Sequence, residues 1–199
     1  MKTICVFGDS IAWGAWDKEK GGWVERLKVY LWEKDPDSEV YNLGISGNTT
    51  IDILKRFDGE AAARKPNIVI FATGLNDDIV KKSDGNHLVE LDEFESNIKE
   101  LIQKARSFTS NIIVLGLQRV DETKTTPIPW QKDYSYYNAD IQEYDTKLQE
   151  IVKQENILYL SMFDLLSDGE LEDGLHPNAQ GHQKIFEKVK QFLQERQII

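Results

Sequence analysis

Five short apolar runs recur along the chain, at Ile4–Phe7, Glu39–Asn42, Ile68–Ala72, Ile112–Leu117 and Ile157–Leu160. Between them lie segments with apolar residues at helical spacing: Trp23–Trp32, Thr50–Ala63, Leu91–Phe108 and Asn138–Gln154. A last segment runs from about Ala179 to the C-terminus, with Ile185, Val189, Phe192 and Leu193 on one face. This alternation predicts a parallel sheet with helices on both faces. The runs are apolar almost throughout, as strands covered on both sides require. The C-terminal ends of parallel strands share one edge, where open α/β folds bind ligands. A chain of 199 residues suffices for one such domain, 1–199, with a core and a cleft.

Charge narrows the function classes. A formal charge of −10 argues against nucleic acid, whose binding rests on Lys and Arg neutralising phosphates. The same balance disfavours docking on anionic lipid. Met1-Lys2-Thr3 leads straight into the short run at Ile4, which lacks the roughly 7–15 apolar residues of a secretory signal, so the expected location is cytoplasmic. The single cysteine, Cys5, has no partner for an internal disulfide and reads as a buried, inert thiol. The histidines and scattered acids lack zincin-type metal spacing. "FGDSIAWG", residues 7–14, has neither a dinucleotide fingerprint nor a P-loop lysine, and sets Asp9 where an anion would bind. No cofactor and no metal are therefore expected.

Four stretches gather chemistry at the predicted sheet edge: Gly8-Asp9-Ser10, "NLGISGNTT" at 42–50, "ATGLNDD" at 72–78 and "EDGLHPNAQGH" at 172–182. Ser10 offers a hydroxyl that needs a base to become a nucleophile. His176 is a natural base, since an imidazole's ordinary pKa of about 6.5 leaves it largely neutral near pH 7. Asp173, three residues earlier, is spaced to hold one ring nitrogen and leave the other for Ser10. Gly44 can present a bare backbone N–H, and Asn76 can donate from its amide. Each residue also has a plainer reading. Ser10 could cap a helix, Gly44 could solve a turn, Asn76 could close an Asx-turn, and His176 and Asp173 could be solvated loop residues. Taken one at a time, both readings stay open.

Taken together, the blocks resemble the SGNH hydrolase family, the GDSL-type esterases and lipases. Gly8-Asp9-Ser10 matches its first block, Gly44 in "NLGISG" its second, Gly74-Leu75-Asn76-Asp77 its third and Asp173-Gly174-Leu175-His176-Pro177 its last. The resemblance implies a flavodoxin-like, three-layer α/β/α sandwich with a five-stranded parallel sheet. It also implies a Ser-His-Asp triad of Ser10, His176 and Asp173, and an oxyanion hole of Ser10, Gly44 and Asn76. The implied activity is that of a serine esterase or acylhydrolase acting on a small-molecule ester. Ile11 stands where the family's short name has Leu. Ala12 replaces the second Gly of the Gly-x-Ser-x-Gly elbow, which separates the chain from the α/β-hydrolases.

The same mechanism accommodates acetylated sugars, lysophospholipids or thioesters. A non-catalytic ligand-binding module is the alternative of another class, because fold alone does not decide function. Trp13 and Trp16 near Ser10, and Trp130, Tyr134, Tyr136 and Tyr137 in the long segment 121–137, are candidates for an aromatic cleft wall or lid. Trp23 is expected in the core. His87 reads as a loop residue, His182 is assigned no role, and Asp77 is expected to support the loop holding Asn76.

Overall fold

A computed structural model describes residues 1–199. In chain order the elements are β1 (Thr3–Gly8), α1 (Ser10–Trp13), α2 (Trp23–Lys34), β2 (Glu39–Gly44), α3 (Thr50–Arg64), β3 (Ile68–Ala72) and β4 (Val80–Lys81). There follow α4 (Leu91–Arg106), β5 (Ile112–Leu115), α5 (Glu122–Thr125), β6 (Tyr134–Ser135), α6 (Asn138–Gln154), β7 (Leu158–Leu160) and α7 (Ala179–Glu195). The main sheet has five strands in the order β2-β1-β3-β5-β7, and every pairing within it is parallel. Taking those strands in sequence gives the order 2-1-3-4-5, the doubly wound arrangement of flavodoxin-like folds.

The pleat sorts each apolar run between two cores. Cys5 and Phe7 of β1, Val69 and Phe71 of β3, and Ile112 and Val114 of β5 face one core, closed by α3, α4 and α6 through residues such as Phe57, Ile98 and Leu148. Ile4, Val6, Ile68, Ile70, Ile113 and Leu115 face the other, closed by α2 and α7 through Trp23, Leu27, Ile185 and Val189. Two covered faces explain why the strands read as continuous apolar runs. Trp23 and Cys5 are both buried, and burial pushes the Cys5 thiol up to about 12. No helix is long and apolar enough to cross a membrane.

Boundaries move by a few residues, for local reasons. β2 continues to Gly44 because its pairing with β1 persists until both strands end in glycine, Gly8 opposite Gly44. β5 stops at Leu115 rather than Leu117, because the Leu117 N–H donates to the Asp145 carboxylate at 2.8 Å instead of to a strand. The segment 121–137 is not one irregular loop. It holds α5 and then β6, which pairs antiparallel with β4, and buried Ile128 and Tyr136 anchor it.

Candidate active site

β1 ends under α1, and its last residue has to be small. A Cβ on Gly8 would lie 2.5 Å from the Ala72 carbonyl oxygen. Asp9, not Ser10, caps α1: its Oδ1 accepts the Ile11 N–H at 2.9 Å. With the cap filled by its neighbour, Ser10 opens the helix with its hydroxyl free for other contacts. Ser10 Oγ lies 2.9 Å from His176 Nε2, a contact made across 166 residues of sequence.

His176 is held from its other side. Its Nδ1 lies 2.8 Å from Asp173 Oδ2, while Asp173 Oδ1 accepts the backbone N–H groups of Leu175 at 3.0 Å and His176 at 2.8 Å. Partial burial pushes the Asp173 carboxyl up, but the hydrogen bonds from the His176 ring and backbone outweigh it and hold the pKa at about 2. An ionised Asp173 can only accept, so Nδ1 carries the proton and the Nε2 lone pair faces the Ser10 hydroxyl. Gly174 allows the tight turn between the two residues, with a φ of +93°.

Asn76 follows β3 at the same edge. Its Nδ2 donates to the Asn48 carbonyl at 2.9 Å, and its Oδ1 accepts the Tyr136 hydroxyl at 3.1 Å. Those two bonds fix the plane of the amide and leave one N–H for the cleft. Asp77 ties the loop to α3, accepting the Thr50 N–H at 3.1 Å on each oxygen and the Thr50 hydroxyl as well. Burial pushes the Asp77 carboxyl up to about 7, against those hydrogen bonds. Asp9, buried beneath Ser10, is likewise pushed up by burial, to about 6.

Gly44 departs from the sequence-based expectation. Its N–H donates to Asn42 Oδ1 at 3.1 Å, and it packs so closely on α1 that a Cβ would lie 2.3 Å from the Trp13 nitrogen. It packs into the seam between β2 and α1 and is not among the residues lining the cleft. The next glycine, Gly47, lines the cleft with a φ of +80°, and neither its N–H nor that of Ser10 has a backbone acceptor. "NLGISG" offers two glycines, and only the point where β2 stops pairing tells them apart.

The cleft has a volume of about 770 Å³ and brings together Ser10, Gly47, Asn76 and His176. Trp13, Trp16, Trp130 and Tyr136 contribute to its wall, and the Trp130 ring centroid lies 5.8 Å from that of His176. Tyr134 and Tyr137 do not line it; Tyr134 sits in β6 and Tyr137 precedes α6. His182 is fully buried and does not line the cleft: its Nε2 donates to the Ala15 carbonyl and its Nδ1 accepts the Trp23 N–H. His87 Nδ1 donates to the Asp78 carbonyl at 2.8 Å. No group of three or more His, Cys, Asp or Glu side chains is arranged to hold a metal ion.

A sequence model of the GDSL-like Lipase/Acylhydrolase family matches residues 6–184. Esterase TesA of Pseudomonas aeruginosa is 30% identical over 117 residues, which span 59% of this chain and 55% of that protein. The acetylxylan esterase of Geobacillus stearothermophilus is 25% identical over 168 residues, 78% of this chain and 71% of that protein. Axe2, an acetylxylan esterase from Geobacillus stearothermophilus whose crystal structure has been solved, superposes with a TM-score of 0.72 at 23% identity, covering 98% of this chain and 93% of that one.

Proposed function

The chain belongs to the GDSL-like lipase/acylhydrolase family, and we propose that it cleaves short-acyl carboxylic esters through an acyl-enzyme on Ser10. Membership makes it an ester-bond hydrolase, similar to proteins named as esterases. The residue roles and the substrate are our reading. The observation that carries it is the unbroken chain from Ser10 Oγ through the His176 ring to Asp173, opening on the cleft.

His176 Nε2 takes the Ser10 proton as Oγ attacks the ester carbonyl. The ionised Asp173 stabilises the imidazolium that forms. Negative charge on the carbonyl oxygen is met by the N–H groups of Ser10 and Gly47 and the free N–H of Asn76, with Gly47 taking the place expected of Gly44. The tetrahedral intermediate collapses as His176 gives its proton to the leaving alcohol, and the ester C–O bond breaks. Water then enters, loses a proton to His176 and attacks the acyl-enzyme. The acid leaves as Ser10 regains its proton. No cofactor takes part in this scheme.

Acetylated carbohydrate is the second reading. Trp13, Trp16 and Trp130 are 58%, 46% and 53% exposed and stand on the cleft, where flat rings can stack on sugar faces. A cytoplasmic location belongs to the same proposal. Hydrolysis of p-nitrophenyl esters from acetate to palmitate, wild type beside Ser10→Ala, tests the reading. Ser10-dependent turnover falling off beyond short chains supports it, and acetylated xylo-oligosaccharides are then the next substrates. Ser10-dependent turnover of long chains would redirect it to lysophospholipids or acyl thioesters. Equal turnover by both proteins would favour a binding module.

A further inference from the structure

Asp173 Oδ2 accepts two hydrogen bonds, not one. Besides His176 Nδ1 at 2.8 Å, it receives the indole N–H of Trp16 at 2.7 Å, from a residue 157 positions away. Trp16 holds a backbone φ of +66°, in the left-handed region that bulky side chains avoid. Such a conformation persists only where the surroundings fix it. Here both neighbours are tied down. The Ala15 carbonyl accepts from buried His182, and the Asp17 carboxylate is buried in an ion pair with Arg26 while accepting the Gly22 N–H at 2.8 Å. Arg26 also donates to the Ala179 carbonyl at the start of α7, so the loop carrying Trp16 is bolted to the helix that follows His176.

We propose that Trp16 is a positioning residue of the Ser10–His176–Asp173 relay, its indole N–H setting the pH at which the site becomes active. The proposal rests on the catalytic reading given above. A second donor on the same oxygen draws negative charge away from the bond to His176. Without it, Asp173 is a stronger partner for the imidazolium, so the protonated ring persists to higher pH. The carboxylate does not swing free when the indole N–H is lost, because Leu175 N and His176 N still hold Oδ1. The charge effect therefore outweighs any loosening.

The other charged and titratable groups facing this pair come from every surrounding element. Asp9 lies beneath α1, His182 on α7 and Tyr136 after β6. Lys18 pairs with Glu172 at 3.8 Å, and Lys124 of α5 packs against Gly174. Lys18 Nζ also sits over the Trp16 ring, 5.4 Å from its centroid; Trp16→Phe keeps a ring beneath it and on the cleft wall while removing the indole donor.

The experiment is the pH profile of kcat/KM for p-nitrophenyl acetate in wild type, Trp16→Phe and Ser10→Ala, with NMR titration of the His176 ring in the first two. In Trp16→Phe the acid limb and the His176 midpoint should both move to higher pH by roughly half a unit to one unit. Plateau kcat should fall by about tenfold or less, the worth of a single hydrogen bond. An unchanged limb and midpoint in a folded Trp16→Phe protein, or a shift to lower pH, would overturn the proposal. The NMR midpoint decides the matter even if turnover is too weak to profile. Ser10→Ala separates the two failures. If it keeps turnover, the relay itself is wrong; if it loses turnover while Trp16→Phe shifts nothing, only the role of Trp16 falls.

Discussion

His176 and His182 stand six residues apart, one before α7 and one in its first turn, yet their surroundings share almost nothing. His176 is partly exposed on the cleft, between a hydroxyl and an ionised carboxylate. His182 is fully buried and bonds only backbone groups, the Ala15 carbonyl and the Trp23 N–H. Burial lowers the His182 pKa to about 4, so it stays neutral where a catalytic histidine would be cycling its proton. The difference teaches that a histidine's role is set by whether its second nitrogen faces a group that can lose a proton. His182 is a clamp because both of its nitrogens are spent on the main chain.

The largest test of this contrast is His176→Ala. It should cut kcat by at least about a thousandfold, as removal of a triad base does, with a melting temperature close to wild type. A melting temperature that collapsed along with activity would make His176 structural too, and erase the contrast. Asn76→Ala comes next. It should lower kcat about 100–1000-fold with KM for p-nitrophenyl acetate little changed, the signature of a donor used at the transition state. A loss expressed in KM alone would remove Asn76 from the oxyanion site.

His182→Gln is expected to act on stability instead, costing roughly 1–3 kcal/mol in urea unfolding by disturbing two buried hydrogen bonds. Its kcat should fall far less than that of His176→Ala. The smallest effect lies in the pH dependence of that stability. A His whose folded pKa is depressed leaves the unfolded chain binding more protons between the two values, so the contribution of His182 to stability should be lost as pH drops from about 6.5 to about 4. Buried Asp9 and Asp77, raised to about 6 and about 7, act with the opposite sign, losing stability as pH rises through the same window. Those carboxyls are common to both proteins, so the difference in unfolding midpoint between wild type and His182→Gln should narrow as pH falls through that window. A difference that stayed constant across the window would mean that His182 does not titrate in this way.

Much of this was legible beforehand. The parallel sheet followed from apolar runs separated by helical segments, and the order of the four motif blocks brought Ser10, Asn76, Asp173 and His176 to one edge. Trp23, Cys5 and Asp77 sit as their contexts indicated, the first two in the core and the third tying its loop to α3. What escaped was local. Gly44 and Gly47 are indistinguishable by residue type and differ only in where β2 ceases to pair. Segment 121–137 looked irregular because β6 is two residues long and its partner β4 lies more than fifty residues earlier, beyond any periodic signal. Tyr136 read as a wall aromatic, whereas its hydroxyl also fixes the Asn76 amide.

By itself the sequence determined the layered fold, the edge at which chemistry gathers and the residue types available there. It could do so because burial on both faces leaves a periodic trace along the chain and because sheet topology turns chain order into spatial order. Only the tertiary structure decided which glycine lines the cleft, which histidine meets a serine, and that an indole N–H from Trp16 shares an oxygen of Asp173. Those are matters of hydrogen-bond geometry between residues as many as 166 positions apart, settled within tenths of an ångström, and no pattern along the chain records them.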